Sequence, residues 1–264
     1  MASRNLPTLP TVLEEAMELM ESKKANMTQV AAIIGRDQVL TTKLLKMVNS
    51  ALYGFPGRIA SIQNAVALLG MNVVKGLIIS TVAMDYMLKH QSLLREHSIA
   101  CSTAAREVAI HLRLPGLEDF ITAGLLHDFG KVIITTQLPE QCAEISTLMY
   151  ASTMTAKEAE TAVLGFSHEQ VSAWLANLWH LPAQLTAAMQ YHHAPLQAEA
   201  HTTLACGVHL ANFFAHLFDR AASENKTISR LDGFALKHLG IRQRVFECLL
   251  DKLGEKLLPR VNVR

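Results

Sequence analysis

Apolar residues recur along this chain at helical spacing, three or four in every two turns, separated by short polar breaks. Val12, Leu13, Ala16, Met17 and Met20 share one face, opened by Thr11 and Glu14 as a capping box. The lead-in Leu6-Pro7-Thr8-Leu9-Pro10 is extended, because each proline pushes its predecessor out of the α region. A second helix opens at Thr28 and carries Val30, Ile33 and Ile34. A third runs from about Val39 through Leu44, Leu45 and Val48. The turn Tyr53-Gly54-Phe55-Pro56-Gly57 interrupts the period. Ser61 caps a fourth helix with Ile62, Val66 and Leu69 inward and Gly70 at its end. A fifth, from about Asn72 to Leu88, is apolar nearly all round apart from Lys75, which places it centrally.

The second half repeats the pattern with histidines on the apolar faces. Between Glu96 and Leu112, His97, Cys101, Ala104, Ala105 and Val108 form one stripe, whose small residues let a neighbouring helix come close. Arg113-Leu114-Pro115-Gly116 ends it, and Asp119 is the expected cap of the next helix. Thr155 with Glu158, and Ser167 with Gln170, are further capping boxes. The second of these puts His168 at the first helical position, on the face of Val171, Leu175 and Leu178. Pro182 takes the favoured first position of a helix whose inner face holds Leu185, Met189 and His192. Beyond Asn212 come a short amphipathic stretch, a polar loop at 223–227, a short helix closed by Gly240, and a helix from near Arg242 to Leu258. Val245, Leu249, Leu250 and Leu253 face one way on that last helix, as in a docked terminal helix. The expected fold is all-α. An N-terminal lobe (1–90) packs on a histidine-bearing bundle (91–220), and an extension (221–264) follows.

Composition agrees and narrows the function. Half of the 264 residues are hydrophobic but only 6% are aromatic, which suits helix-on-helix packing. Lys plus Arg (24) and Asp plus Glu (23) nearly cancel, so charge gives no case for nucleic acid or an anionic membrane as partner. The four cysteines form no C-x-x-C pair and read as buried thiols in a reducing compartment. No signal-peptide core is visible, and the run Gly76–Met84, bounded by Lys75 and Asp85, is too short to span a bilayer. The expectation is a soluble, cytoplasmic protein. The unusual total is 12 histidines.

The stretch Gly124-Leu125-Leu126-His127-Asp128-Phe129-Gly130-Lys131 concentrates the chemistry. An imidazole and a carboxylate at the end of an apolar run are costly unless something pairs them, and a divalent metal would satisfy both. Lys131, one turn past His127, would then meet an anion such as phosphate. The plainer reading is a helix end, with His127 and Lys131 on the last carbonyls and Gly130 as C-terminal cap. His192 and His193 point about 100° apart on one helix, so one could ligate while the other serves a neighbouring metal or a phosphate. Two polar residues fraying before Pro195 would look the same.

Several blocks resemble the HDOD family: the Leu6–Pro10 lead-in, Ile33 through Ser50 with its Val48-Asn49-Ser50, and Ser61 through Gly70. HDOD domains are bacterial signalling modules related to HD phosphohydrolases. Gln38 stands where the family usually has proline. The resemblance implies a site made of His97, His127, Asp128, His168, His192 and His193 as metal ligands, holding iron, manganese, nickel or zinc. Lys131 would contact phosphate, and in a catalytic version Asp128 would ligate and orient while Lys131 stabilised developing charge. Asn212 falls where the hydrolytic branch has a late aspartate, Leu93 where it has an early carboxylate, and Ala194-Pro195-Leu196 lacks its G-Y-P. Asp128 is thus the one carboxylate of the implied ligand set. Two functions follow: a signalling domain that binds a small phosphorylated ligand or a protein partner, or a metal-dependent phosphohydrolase acting on a nucleotide or cyclic dinucleotide.

Overall fold

The helical periods become helices in a computed structural model of the chain, which describes residues 10–22, 26–222 and 230–258. In order these are α1 (Thr11–Glu21), α2 (Met27–Ile34), α3 (Gln38–Val48), α4 (Ile62–His90), α5 (Ser92–Leu112), α6 (Leu117–Leu126), α7 (Phe129–Gln137) and α8 (Pro139–Ala151). There follow α9 (Ala156–Leu164), α10 (His168–Leu178), α11 (Ala183–Tyr191), a 3-10 segment (Pro195–His201), α12 (Thr202–Ala222), α13 (Gly233–His238) and α14 (Gln243–Leu257). No strand occurs among the described residues, and the fold is all-α as expected. The stretch Leu6–Leu9 and the polar loop at 223–227 lie outside the described residues.

Faces were easier to read than ends. Leu13, Ala16, Met17 and Met20 are buried on α1 as their spacing requires. Its N-cap, however, is Pro10, and Thr11 makes no capping box. Asn26 caps α2 by accepting the Thr28 N–H, so that helix opens before Thr28. Gly116 precedes α6, which leaves Asp119 in the first turn instead of at the cap, and Pro182 is the N-cap of α11, not its first residue. Each correction is a shift of a few residues, because competing polar groups near a helix start can all reach its free N–H groups. The Thr155–Glu158 box forms as read, and the Ser167 N–H donates to Gln170 Oε1 (2.9 Å).

At Gly70, φ is 79°, which breaks α4 into the two segments expected around that glycine. The apolar stretch extends beyond Gly76–Met84. By length and composition alone α4 could cross a membrane, but 56% of its most apolar window is buried in this protein. Ile78, Ile79, Ala83 and Met87 are fully enclosed. Asn49 both donates to and accepts from the backbone of Ile59 (2.9 and 2.8 Å), clamping the loop that follows α3. Tyr53 then reaches Thr122 of α6 through its hydroxyl (3.1 Å). One continuous apolar core runs from α1 to α14, where Leu249 and Leu253 are buried, so the terminal helix is docked.

The largest surprise is α12. What reads as a short amphipathic stretch is a 21-residue helix that packs along α5 and beneath α6 and α11. It packs on α5, α6 and α11, whose ends carry His97, His127 and His192, and it supplies more of the site than Asn212.

Candidate metal centre

His127 ends α6 and Asp128 starts α7, so the pair occupies a tight corner between two buried helices, and both side chains are completely enclosed. Gly130 is not a C-terminal cap: it lies in the first turn of α7, where α10 crosses. A Cβ there would stand 2.0 Å from the His168 carbonyl oxygen and 2.8 Å from Ser172 Oγ, far inside contact distance. The missing side chain lets the helix that carries His168 reach Asp128. Ser172 fixes the crossing, accepting the Gly130 N–H (2.8 Å) and donating to the His127 carbonyl (3.1 Å). On the other side Gly124 lets α5 approach; a Cβ there would meet the Ser102 backbone at 2.7 Å.

Around Asp128 the imidazoles converge. His127 Nε2 lies 3.3 Å from Oδ2 and His97 Nε2 3.7 Å from it, while His168 Nε2 and His192 Nε2 lie 3.3 and 3.5 Å from Oδ1. The outer nitrogens are committed. Nδ1–H of His127 donates to the Gly124 carbonyl (2.9 Å), that of His192 to Met189 (2.9 Å), and that of His168 to Glu160 Oε2 (2.6 Å). In the neutral ring each Nε2 then carries a lone pair. His127 Nε2, His168 Nε2, His192 Nε2 and Asp128 Oδ1 are buried without a hydrogen-bond partner. Four inward acceptors that no donor satisfies are what a cation requires.

Two sets share Asp128. Asp128, His168, His192 and His193 can each offer a donor atom within 4.8 Å of the others, and so can His97, His127 and Asp128. Imidazole nitrogen with a single carboxylate oxygen fits a borderline divalent transition metal better than calcium or magnesium. All six residues expected as ligands are brought together, and Lys131 Nζ sits 2.6 Å from Asp128 Oδ2. Asn212 Oδ1 is 3.1 Å from His97 Nε2, on the same side as the second set. Leu93 is 79% exposed, so no ligand comes from its position.

Three contributors were missed by sequence reasoning. Glu160 receives both the ring and the backbone N–H of His168 (2.6 and 2.7 Å). Asp219 accepts from His97 Nδ1–H (2.8 Å), and His216 stacks on His97 with ring centroids 4.4 Å apart. The spacing Asn212, His216, Asp219 puts all three on one helical face, a signal that needed α12 to be recognised as a long helix. Charge compensation is therefore not left to Asp128 alone: two further carboxylates stand one imidazole away from the centre. Glu160→Gln is expected to weaken metal binding about 10- to 100-fold, the usual cost of removing such an outer partner. Metal titration calorimetry measures it, and an unchanged affinity would deny Glu160 that role.

The ionisation pattern follows from the same crowding. Burial alone would lower His127, but the adjacent Asp128 carboxylate outweighs it and holds the ring well above its ordinary value. Burial would raise Asp128, yet His127 and Lys131 hold it well below the carboxylate range. Burial and Lys131 oppose protonation of His168, and the Asp128 and Glu160 carboxylates beside the ring prevail and raise it. Burial drives His192 down to about 4 and His216 to about 2, and pushes His193 and His209 down as well.

For the lowered histidines the unfolded chain takes up protons below its reference value of 6.5 that the folded protein refuses, so stability falls on acidification. His127 and His168 act oppositely: their contribution is complete below that value and fades as pH rises through their raised folded values. Metal-free protein should therefore show a urea midpoint that drops as pH falls from 6.5 toward about 4 and drops again as pH rises above 6.5. A flat profile would contradict the assignment.

The HDOD domain family matches residues 6–195, and the chain belongs to that family. A crystal structure of an HDOD domain protein with unknown function from Geobacter sulfurreducens is similar at 25% identity and TM-score 0.68, covering 96% of this chain and 90% of that one. A Shewanella amazonensis structure named as a candidate phosphohydrolase shares the fold at 22% identity and TM-score 0.69, over 95% and 90% of the two chains. An uncharacterized protein from Treponema pallidum is 27% identical over 223 residues, 81% of this chain. This chain spans 43% of that relative's length.

Proposed function

We propose that this chain is a bacterial, cytoplasmic signal-transduction domain that acts by binding, with a divalent metal stiffening the pocket that receives its ligand. The observation that carries the proposal is the buried set His127 Nε2, His168 Nε2, His192 Nε2 and Asp128 Oδ1, all without partners. A bound metal would supply a Lewis-acidic centre where those atoms meet. The chain's own residues do the rest. Glu160 and Asp219 hold His168 and His97 in one tautomer, and the close packing at Gly130 keeps water from the Asp128 carboxylate. Lys131 is neutralised by Asp128 at rest and, 23% exposed, is free to turn its ammonium toward an incoming phosphate. The output would be read by a protein partner. Near-neutral charge gives no case for nucleic acid or membrane.

One observation favours hydrolysis instead: the two donor sets meet at Asp128, as two-metal phosphoesterases require. Against it stands Asn212, which offers an oxygen and no charge at the second set. Elemental analysis of the purified protein, beside a phosphodiesterase assay with manganese, iron and nickel supplied, separates the two readings. Bound metal without turnover supports the binding domain. Turnover lost in Asp128→Ala would establish the hydrolase, and protein that takes up no metal under any loading would end both.

A further inference from the structure

Beside the metal centre opens a cleft of about 670 Å³, lined by residues from both sides of position 195. Lys131 and His193, both in or beside the centre, form its floor together with His216 of α12. Met149, Ala156 and Ala162 add apolar lining, and Arg230 is a further lining residue. His216 and Arg230 lie beyond residue 195, where the match to the HDOD domain ends. The volume is that of a small-molecule site, about 300–1,000 Å³.

Charge in the cleft is one-sided. Lys131, Lys157 and Arg230 face it, with Glu158 as the acidic wall residue. Lys157 is engaged by Glu169 (3.0 Å), Lys131 by Asp128 (2.6 Å), and Glu158 by its capping box with Thr155. Arg230 makes no salt bridge among the described residues, and its charge, after the hydrogen bonds from Thr155, helps hold the Glu158 carboxyl below its ordinary value. It is also not placed at random. Two residues on, the Asp232 N–H donates to His209 Nε2 (2.9 Å), and His209 Nδ1–H donates to the carbonyl of His192 (2.7 Å). Both nitrogens of this buried imidazole are used to tie the segment carrying Arg230 to the backbone of a candidate metal ligand. A guanidinium carried on a tethered stretch of backbone, apolar lining residues and further cations together suit an anion with a flat or apolar body.

We infer that the C-terminal extension supplies Arg230 as an anion clamp, which completes a cleft for a nucleotide-like phosphate ester beside the metal centre. This rests on the binding reading above and names the chemistry of its ligand. The phosphate would lie between Arg230 and the Lys131 side, with the base or other apolar body against Met149 and Ala156. No bond is made or broken.

The test uses the full chain, titrated calorimetrically with AMP and with adenosine, and with its metal content measured in parallel. AMP should bind at least tenfold tighter than adenosine. Arg230→Ala should remove at least that factor for AMP while leaving adenosine binding, metal content and thermal stability unchanged, and Arg230→Lys should restore part of it. AMP that binds no better than adenosine, or equally well to wild type and Arg230→Ala, overturns the inference even if metal is bound. Arg230-dependent AMP binding by protein that holds no metal supports the clamp and overturns the metal reading instead.

Discussion

Replacing Asp128 with asparagine is expected to strip the purified protein of its metal, lowering affinity by more than the roughly 100-fold upper cost of losing an outer partner. The size of the effect follows from the geometry. Four Nε2 atoms from α5, α6, α10 and α11 lie 3.3 to 3.7 Å from this one carboxylate, and both donor sets include it. Asparagine keeps the volume and one oxygen but removes the charge, so the loss reports electrostatics and not a cavity. The variant should still fold, because Lys131 is part-exposed and the histidines can shed protons once the anion is gone. Inductively coupled plasma analysis with a circular dichroism melt checks both statements. Retention of stoichiometric metal by Asp128→Asn would remove this residue from the centre.

Gly130→Ala tests the same centre through packing. The added methyl would need to occupy space 2.0 Å from a backbone oxygen, and backbone cannot swing aside as a long side chain can. Either α7 and α10 separate, or the corner at Asp128 deforms. Overpacking of this kind costs about 3 kcal/mol at the upper end of the usual range. The displacement falls on His168 and Asp128 together, so metal affinity should drop with stability. Gly57→Ala is the control: nothing lies within 4 Å of a Cβ there, and it should change stability by less than about 0.5 kcal/mol. Urea unfolding of both variants decides the matter. If Gly130→Ala is as stable as wild type, α10 does not pack on α7 as described.

Local chemistry made much of this legible in advance. Asn49 is expected to cap a helix end and is the C-cap of α3, and its amide also binds the backbone of Ile59 through both ends. Gly70 announced a break and adopts a left-handed φ. The adjacent His127 and Asp128, and the His192–His193 couple, pointed to a shared pocket because polar groups on apolar faces need partners. Helix starts were misplaced at Thr11, Thr28, Asp119 and Pro182, since several nearby groups can satisfy the same free N–H donors. Gly130 looked like a cap, and only the crossing of α10 shows what its missing Cβ permits.

What the order of residues determined by itself was the all-α class and the inward faces, which depend on periodicity and on the cost of burying polar groups, both of them local. The six residues whose donor atoms meet were named through the resemblance to the HDOD family. The charge balance around the centre was decided by tertiary structure alone. Glu160 is eight residues from His168, and Asp219 is 122 from His97, yet each accepts its ring N–H. No local period links such partners. They meet because α12 lies along α5, and because the turn between α9 and α10 brings the Glu160 carboxylate onto the first N–H of α10.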